Sequence, residues 1–204
     1  YNLLKNKYKL NVVKSKHYKK KPLKSLGEAR KKFYEYAIAK KYDYIFSLEQ
    51  DIFPTRDILK KLIDTRLKIK DREAIIGTPY IIFRITYEKT PYLTKDNLTN
   101  VAIERIYSKK MKRRVQKNLT KKEMKRKKKL LKVYACGFGC TLINVSILKK
   151  IKVRYTEKRF RPDDAFFYLD CFNEKINSYV DPTLMDKIIH IPGNSKNIRN
   201  WAND

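Results

Sequence analysis

The chain has 204 residues, 42% of them hydrophobic, and a formal net charge of +29. This length and composition exclude a disordered chain and predict one domain, 1–204, whose core is large enough to fold without disulfides or structural metal ions. The longest uncharged stretch, Val133–Leu148, has 16 residues interrupted by glycines, which is too short and too polar for a membrane span. No signal peptide is visible, and a start at Tyr1 rather than Met predicts a missing N-terminal piece.

The three cysteines, Cys136, Cys140 and Cys171, are an odd number without metal-type spacing. This usage favours reduced, buried thiols in an intracellular protein.

The first half of the chain alternates helix and strand patterns. A capping box at Ser25–Glu28 predicts a helix start, and Leu26, Ala29, Phe33 and Ala37 recur at helical spacing on one apolar face. The predicted elements are a strand at Tyr8–Val13, a helix from Ser25 to Lys40, a strand at Tyr44–Leu48, a helix capped by Thr55 and a strand at Ala74–Gly77. Such alternation predicts an α/β fold with a mostly parallel sheet flanked by helices.

Two acids follow the Tyr44–Leu48 strand, which is apolar enough to be buried on both faces of a parallel sheet. Glu49 and Asp51 are two residues apart, so continued strand geometry would project both to the same side and let them close on one cation. Ligands of open α/β sheets collect at such strand ends. The alternative is that both are ordinary loop acids or helix caps.

The segment 100–132 differs from the rest because basic residues dominate it. From Lys109 to Lys132, 14 of 24 residues are Lys or Arg, against one acid, Glu123. Apolar residues at helical spacing and a second capping box at Thr120–Glu123 predict a basic helical hairpin inserted in the α/β body. We interpret it as a contact surface for polyanions; a solvated charged face is the alternative.

The second half returns to alternating elements. Val133–Ile143 is an apolar strand pattern broken at 137–139 by glycines, which mark a bulge or a close approach of a ligand to the backbone. Asp163 and Asp164 stand at a predicted helix start, where their charge favours the helix N-terminus. A late strand, Ile176–Val180, precedes His190, which lies between isoleucines.

The order of these features resembles the GT-A glycosyltransferases, in particular the large inverting, family 2-like group that uses nucleotide-sugar donors. The strand Y-D-Y-I-F-S-L with E-Q-D is similar to that family's D-x-D metal motif and its approach. The segment A-C-G-F-G-C-T-L-I is similar to its acceptor-side strand, R-P-D-D-A-F-F-Y-L to its E-D motif, and V-D-P with His190 to its closing strand and late metal-binding histidine. The resemblance implies a GT-A-like, Rossmann-like fold from Ser25 to about His190.

Carried over residue by residue, the resemblance implies a metal-dependent transfer of one sugar, with inversion. Asp51 and Glu49 would hold Mn²⁺ or Mg²⁺ on the donor diphosphate, and His190 would complete the coordination unless it is a hydrogen-bonded core residue. Asp164 would be the base that deprotonates the acceptor hydroxyl, with Asp163 positioning substrate or capping the helix. Arg30 would reach the diphosphate; an exposed structural arginine is the alternative reading of it.

The sequence departs from that family in three respects. The first motif acid is Glu49 instead of Asp, and no nucleotide-gripping acid is recognisable before Ser25. The Q-x-x-R-W motif of processive synthases is absent, which favours transfer of a single sugar. The acceptor is an unknown glycan, protein or lipid-linked molecule.

A second hypothesis is a nucleic-acid-binding protein or two-metal nuclease. It rests on the net charge of +29 and on Glu49, Asp51, Asp163 and Asp164 as one metal cluster. No helix-turn-helix, zinc-finger or RNA-stacking signature accompanies those acids. An anionic membrane surface is a third partner for the Lys109–Lys132 cluster, because each basic residue near such a bilayer contributes about 1 kcal/mol. With a glycosyltransferase, this predicts a cytoplasmic enzyme peripheral at the inner membrane surface.

Overall fold

A computed structural model describes residues 14–19, 21–80, 99–108, 113–127, 129–155 and 163–190. The predicted strand Tyr8–Val13 lies outside these residues. The described part is a mixed α/β structure with helices around a five-stranded sheet. No helix in it is long and apolar enough to cross a membrane.

The helices and strands alternate as the sequence predicts in the first half. The helices are α1 (Pro22–Ala39), α2 (Ile58–Leu67), α3 (Lys121–Arg126), α4 (Val145–Leu148) and α5 (Asp163–Asn173), with a 3₁₀ helix at Pro182–Lys187. The strands are β1 (Tyr44–Leu48), β2 (Ile52–Pro54), β3 (Ala74–Gly77), β4 (Thr99–Ser108), β5 (Arg113–Thr120), β6 (Leu131–Val133), β7 (Cys140–Asn144), β8 (Asn177–Val180) and β9 (Ile188–His190).

The central sheet is mostly antiparallel, so the prediction of a mostly parallel sheet is wrong. Its strand order is β1-β7-β3-β8-β6, and β3–β8 is the parallel pair among the four neighbouring pairs. The reason is that β7 inserts between β1 and β3 in the opposite direction. Strands β1, β3 and β8 nevertheless run in one direction, so their carboxyl ends lie at the same end of the sheet.

The apolar run Val133–Ile143 forms two strands instead of one. Its start belongs to β6 at one edge of the sheet, and its end is β7 between β1 and β3. The glycine-containing residues between them cross from one position to the other. A Cβ on Gly139 would lie 2.5 Å from the hydroxyl oxygen of Tyr80, so the glycine accommodates a neighbouring side chain.

Two apolar clusters cover the two faces of the sheet. Neighbouring residues of β3 point to opposite clusters, Ile75 with α1, α4 and α5 and Ile76 with α2. Both side chains are fully buried. By contrast, β1 is an edge strand in which Ile45 alone is buried, so the prediction that it is buried on both faces is wrong. All three cysteines are buried and free of disulfides, as predicted.

Helix α1 begins at Pro22, three residues before the predicted capping box. Ser25 accepts a hydrogen bond from the backbone N–H of Tyr18 at 2.8 Å and therefore does not start the helix. The predicted apolar face is also shifted, because Leu26 and Phe33 are exposed. Ala37 is buried as predicted, but the other buried side chains are Leu23 and Tyr34. Leu26 and Phe33 instead line a neighbouring cleft.

The predicted basic helical hairpin is a β-hairpin. Strands β4 and β5 pair antiparallel, and among the described residues of segment 100–132 the helical part is α3. The apolar residues Ile103, Ile106 and Val115 fit the helical spacing, but Ile106 lies opposite Val115 in the paired strands, so pairing between the two arms overrides that spacing. The hairpin contacts the body through Ile103, which pairs with Ala135.

The second predicted capping box is confirmed at the start of α3. The Thr120 hydroxyl accepts from the backbone N–H of Glu123, whose carboxylate accepts from the backbone N–H of Thr120. Glu123 also forms an ion pair with Lys117. These interactions, with the Lys117 contact the largest, lower the pKa of Glu123 to about 2 from an ordinary value of 4.5.

We expect Glu123→Ala to lower the free energy of unfolding by about 1 kcal/mol at neutral pH, the usual cost of losing a cap. Because the pKa of the folded carboxylate is depressed, its contribution is present above 4.5 and is lost as the pH falls towards about 2. Urea unfolding of both proteins across this range should therefore show the difference shrinking with acidification. A difference that is independent of pH would contradict this account.

Candidate functional site

The chain turns immediately after β1, which places the two predicted acids on a tight bend. The backbone N–H of Glu49 donates to the carbonyl of Gly139 at 3.0 Å, and the N–H of Ile52 donates back to the carbonyl of Glu49 at 3.1 Å. Glu49 and Asp51 are therefore not successive same-side residues of one strand, and that part of the prediction is wrong. The turn still keeps both carboxylates in one electrostatic neighbourhood.

Three charged side chains act on the carboxyl group of Glu49. Its pKa is raised above the ordinary value, first by burial and then by the negative charges of Asp51 and Asp164, against the lowering effect of Arg30. Residues 49 and 164 are far apart in sequence, so their interaction is a consequence of the fold. The structure thus brings three of the predicted site acids, Glu49, Asp51 and Asp164, to one place.

Arg30 is a mostly buried member of the site, with 12% of its side chain exposed. Its guanidinium donates to Glu49 Oε1 at 2.5 Å and lies 4.5 Å from the centre of the Phe138 ring. The alternative of an exposed structural arginine is therefore wrong. Its stacking on Phe138 fixes the guanidinium plane and so orients the donors towards the acid cluster.

His190 lies beside Asp51 because of strand pairing. Strands β2 and β9 pair antiparallel, with Ile52 opposite His190. The Nε2 atom of His190 is 3.4 Å from Asp51 Oδ2, and its buried Nδ1 has no hydrogen-bond partner among the described residues. The alternative of a hydrogen-bonded core histidine is thus not what the described part shows, because the nitrogen away from Asp51 is unpaired.

Asp164 is in the first turn of α5, which begins at Asp163 as predicted. Its charge acts on Glu49 and also helps to raise the pKa values of the Tyr80 hydroxyl and the Cys136 thiol, both raised chiefly by burial. Asp164 therefore faces inwards from α5 towards the end of β1. The side chain of Asp163 lies outside the described part of the chain.

Two acids of the cluster, Glu49 and Asp51, line a cleft of about 610 Å³, whereas Asp164 and His190 are not among its lining residues. Its charged lining consists of Arg30, Glu49 and Asp51. Its other lining residues belong to α1, β1 and the following turn: Leu26, Ala29, Phe33, Phe46, Ser47, Leu48 and Gln50. The exposed Leu26 and Phe33 of α1 thus form an apolar wall opposite the acids.

Whether this site fits a metal ion depends on which side chains are available as metal ligands. In the described ranges, no group of three or more His, Cys, Asp or Glu side chains is placed to hold an ion. Asp51 and His190 approach each other as a pair of donors, whereas Glu49 is bound by Arg30. A carboxylate with few protein partners suits Mg²⁺ or Mn²⁺ that arrives with substrate phosphates, since such ions use one or two carboxylates and keep other positions for phosphate and water.

Two residues of the site were missed in the sequence. Tyr80 is buried, and the centre of its ring lies 5.6 Å from that of His190. Burial chiefly raises the pKa of its hydroxyl, and the charges of Glu49 and Asp164 raise it further. Phe138 is also buried and carries the guanidinium of Arg30. The available signal was position: Tyr80 follows Thr78-Pro79 directly after a strand end, where ligands collect in α/β sheets.

Comparison with known proteins gives a fold likeness at most. No family model matches the chain, and no curated protein matches it. One solved structure that does match is the crystal structure of A197 from STIV, with 16% sequence identity and a TM-score of 0.49. The match covers 94% of this chain and 85% of that chain. A likeness at this level carries no conclusion about function.

Proposed function

We propose that this protein is a metal-dependent glycosyltransferase that moves one sugar from a nucleotide-diphosphate sugar to an acceptor hydroxyl. The observation that carries the proposal is that Glu49 and Asp51 line one cleft and His190 Nε2 lies 3.4 Å from Asp51 Oδ2, while the charge of Asp164 acts on Glu49. The GT-A resemblance implies that Glu49 and Asp51 bind the metal ion and that Asp164 is the general base. These acids come from two segments more than a hundred residues apart.

The position of this cluster in the sheet also supports a binding site. Glu49 follows β1 and Tyr80 closely follows β3, two strands that run in the same direction on either side of β7. Because these two strands share a direction, their carboxyl ends bring Glu49 and Tyr80 to the same end of the sheet. The cleft beside Glu49 is roomy enough for part of a nucleotide sugar.

Each residue has a distinct role in the proposed reaction. Asp51 and His190 would hold Mn²⁺ or Mg²⁺, which supplies positive charge to the departing diphosphate. Arg30 binds the diphosphate oxygens through its fixed guanidinium, and Glu49 holds Arg30 in position by their ion pair. Asp164 accepts the proton of the acceptor hydroxyl as that oxygen attacks the anomeric carbon. An uncharged apolar wall at Leu26 and Phe33 limits water beside the sugar.

The test is release of nucleotide diphosphate from a panel of nucleotide sugars in the presence of Mn²⁺, with uridine, guanosine and cytidine donors assayed separately. We expect one donor class to be hydrolysed slowly without acceptor, since water can replace the acceptor hydroxyl. Chelation should stop the release. A folded protein that releases nucleotide from none of these donors would overturn the proposal.

A nucleic-acid enzyme is the second candidate, favoured by the net charge of +29 beside an acid cluster. A two-metal centre needs carboxylates free to bridge both ions, whereas Glu49 is bound by Arg30. Salt-titrated binding to duplex and single-stranded DNA would separate the candidates. Binding that disappears with rising salt and shows no sequence or strand preference would be non-specific electrostatic binding to the phosphate backbone.

A further inference from the structure

We propose that a second site, at the opposite edge of the sheet from the acid cleft, binds phosphate groups. It is a cavity of about 510 Å³ beside β6 and β8, and it shares no lining residue with the acid cleft. Three of its lining residues are cationic, Arg105, Lys132 and Lys175, and one is acidic, Glu104. We call the cavity that these three cations line the cationic pocket.

Arg105 is held in the cationic pocket by two aromatic rings. Its guanidinium carbon lies 4.4 Å from the centre of the Phe172 ring and 5.3 Å from that of Tyr134. The two rings meet edge to face at 5.4 Å. Stacking occupies the face of a guanidinium and leaves its in-plane N–H groups for a ligand, and the planar fork of these donors matches phosphate oxygens.

The backbone around the cationic pocket is also fixed. The N–H of Tyr134 donates to the carbonyl of Ile103 at 2.7 Å, which ties the start of the β4–β5 hairpin to the segment after β6. Lys175 stands just after α5 with a φ of 57°, where the N–H of Ile176 donates to the carbonyl of Cys171 at 2.8 Å to end the helix. The three cations therefore come from three separately anchored segments.

The cations of the cationic pocket are not neutralised by an ion pair within the described part of the chain. Five Lys or Arg residues there form salt bridges with carboxylates, namely Arg30–Glu49, Lys61–Asp57, Lys117–Glu123, Lys150–Glu73 and Arg154–Asp170. No salt bridge in the described ranges joins Arg105, Lys132 or Lys175 to a carboxylate. Lys132 acts on Asp71 only as a minor influence on its pKa, after that acid's hydrogen bonds to Asn177 and Tyr179.

A phosphate-bearing ligand fits this arrangement better than a carboxylate or an apolar molecule. The arginine fork supplies directed donors, and Lys132 and Lys175 line the same cavity, against Glu104 in the lining and Asp71 near Lys132. Arg105 belongs to the hairpin whose second strand lies in the basic segment Lys109–Lys132, so the surrounding field concentrates polyanions. The phosphate can belong to a soluble molecule or to a lipid headgroup, and the experiment distinguishes these sources.

The experiment measures binding of inorganic pyrophosphate to the full chain by calorimetry, with EDTA present so that no divalent ion loads the acid cleft. In a parallel arm, flotation compares vesicles of phosphatidylcholine alone with vesicles that also contain phosphatidic acid. We expect Arg105→Gln to weaken binding about tenfold, the loss of one charge-assisted contact. Lys132→Gln/Lys175→Gln should weaken it at least as much, and because both lysines are exposed this variant keeps its fold.

Matched controls remove the same charge elsewhere. Arg154→Gln is the partner of Arg105→Gln, since Arg154 also stacks on a phenylalanine, Phe166, at 4.8 Å. Lys60→Gln/Lys68→Gln is the partner of the double lysine variant, because both residues are exposed on α2 and at its end. The controls should change affinity less than about twofold, the effect of net charge alone.

Each outcome decides the proposal. Pyrophosphate binding or phosphatidic-acid-dependent flotation that is lost in pocket variants and kept in controls supports the site. Pyrophosphate binding without flotation indicates a soluble ligand, and flotation indicates a lipid headgroup. Equal losses in pocket and control variants, or unchanged binding in both pocket variants, would overturn it. Asp51→Ala should leave this binding unchanged, so the site stands or fails independently of the proposed transferase activity.

Discussion

Asp164→Asn should reduce sugar transfer by a factor of about 10² to 10⁴, the usual contribution of a general base. The amide has the size and shape of the carboxylate but cannot accept the acceptor's proton. Donor binding should be nearly unchanged, since Asp164 acts on the acceptor side in the proposed reaction. The measurement is the single-turnover rate of transfer together with the dissociation constant of the nucleotide diphosphate. An Asn variant that transfers at the wild-type rate would place the base elsewhere.

The matched control for Asp164 is another aspartate on the same helix. Asp170 of α5 pairs with Arg154 away from the cleft, so Asp170→Asn removes a helix charge without touching the acid cluster. We expect it to transfer at the wild-type rate. A second readout is the pKa of Glu49, which is raised in part by Asp164. Removing that charge should shift the titration of Glu49 towards lower pH, whatever the role of Asp164 in catalysis.

The sequence predicted local elements well and their assembly less well. Strands β1 and β3 and the start of α5 fall where the apolar runs and the paired acids placed them. The direction of β7 was not predictable, because an apolar strand buried on both faces reads the same in parallel and antiparallel neighbours. The β4–β5 hairpin was mistaken for helices because its apolar residues recur near helical spacing, whereas the pairing of Ile106 with Val115 depends on the other arm.

The candidate site shows which contacts a sequence conceals. The identities of Glu49, Asp51, Asp164 and His190 were visible as acids and a histidine near element ends, and the structure brings all four together. The strand spacing given as the reason for Glu49 and Asp51 was wrong, since a turn separates them. Pairing of Arg30 with Glu49 depends on how α1 packs over β1, and periodicity had placed Leu26 and Phe33 in the core although both are exposed.

Asp51→Ala should lower transfer by about 10²-fold and weaken Mn²⁺ binding in the presence of nucleotide diphosphate, because it removes the carboxylate that has no competing guanidinium. Glu49→Ala should have a smaller effect on Mn²⁺ and a larger one on nucleotide affinity, since Glu49 holds Arg30. The measurements are manganese binding by electron paramagnetic resonance and the metal dependence of nucleotide release.

The control for Asp51→Ala is Asp57→Ala, an exposed acid six positions later that pairs with Lys61. It should bind Mn²⁺ as the wild type does. His190→Ala should weaken Mn²⁺ less than Asp51→Ala, because a neutral imidazole contributes no charge to the site. If Asp51→Ala retains Mn²⁺-dependent release, the ion is held by other residues. If His190→Ala alone is unaffected, the approach of His190 to Asp51 at 3.4 Å is a packing contact that orients the carboxylate.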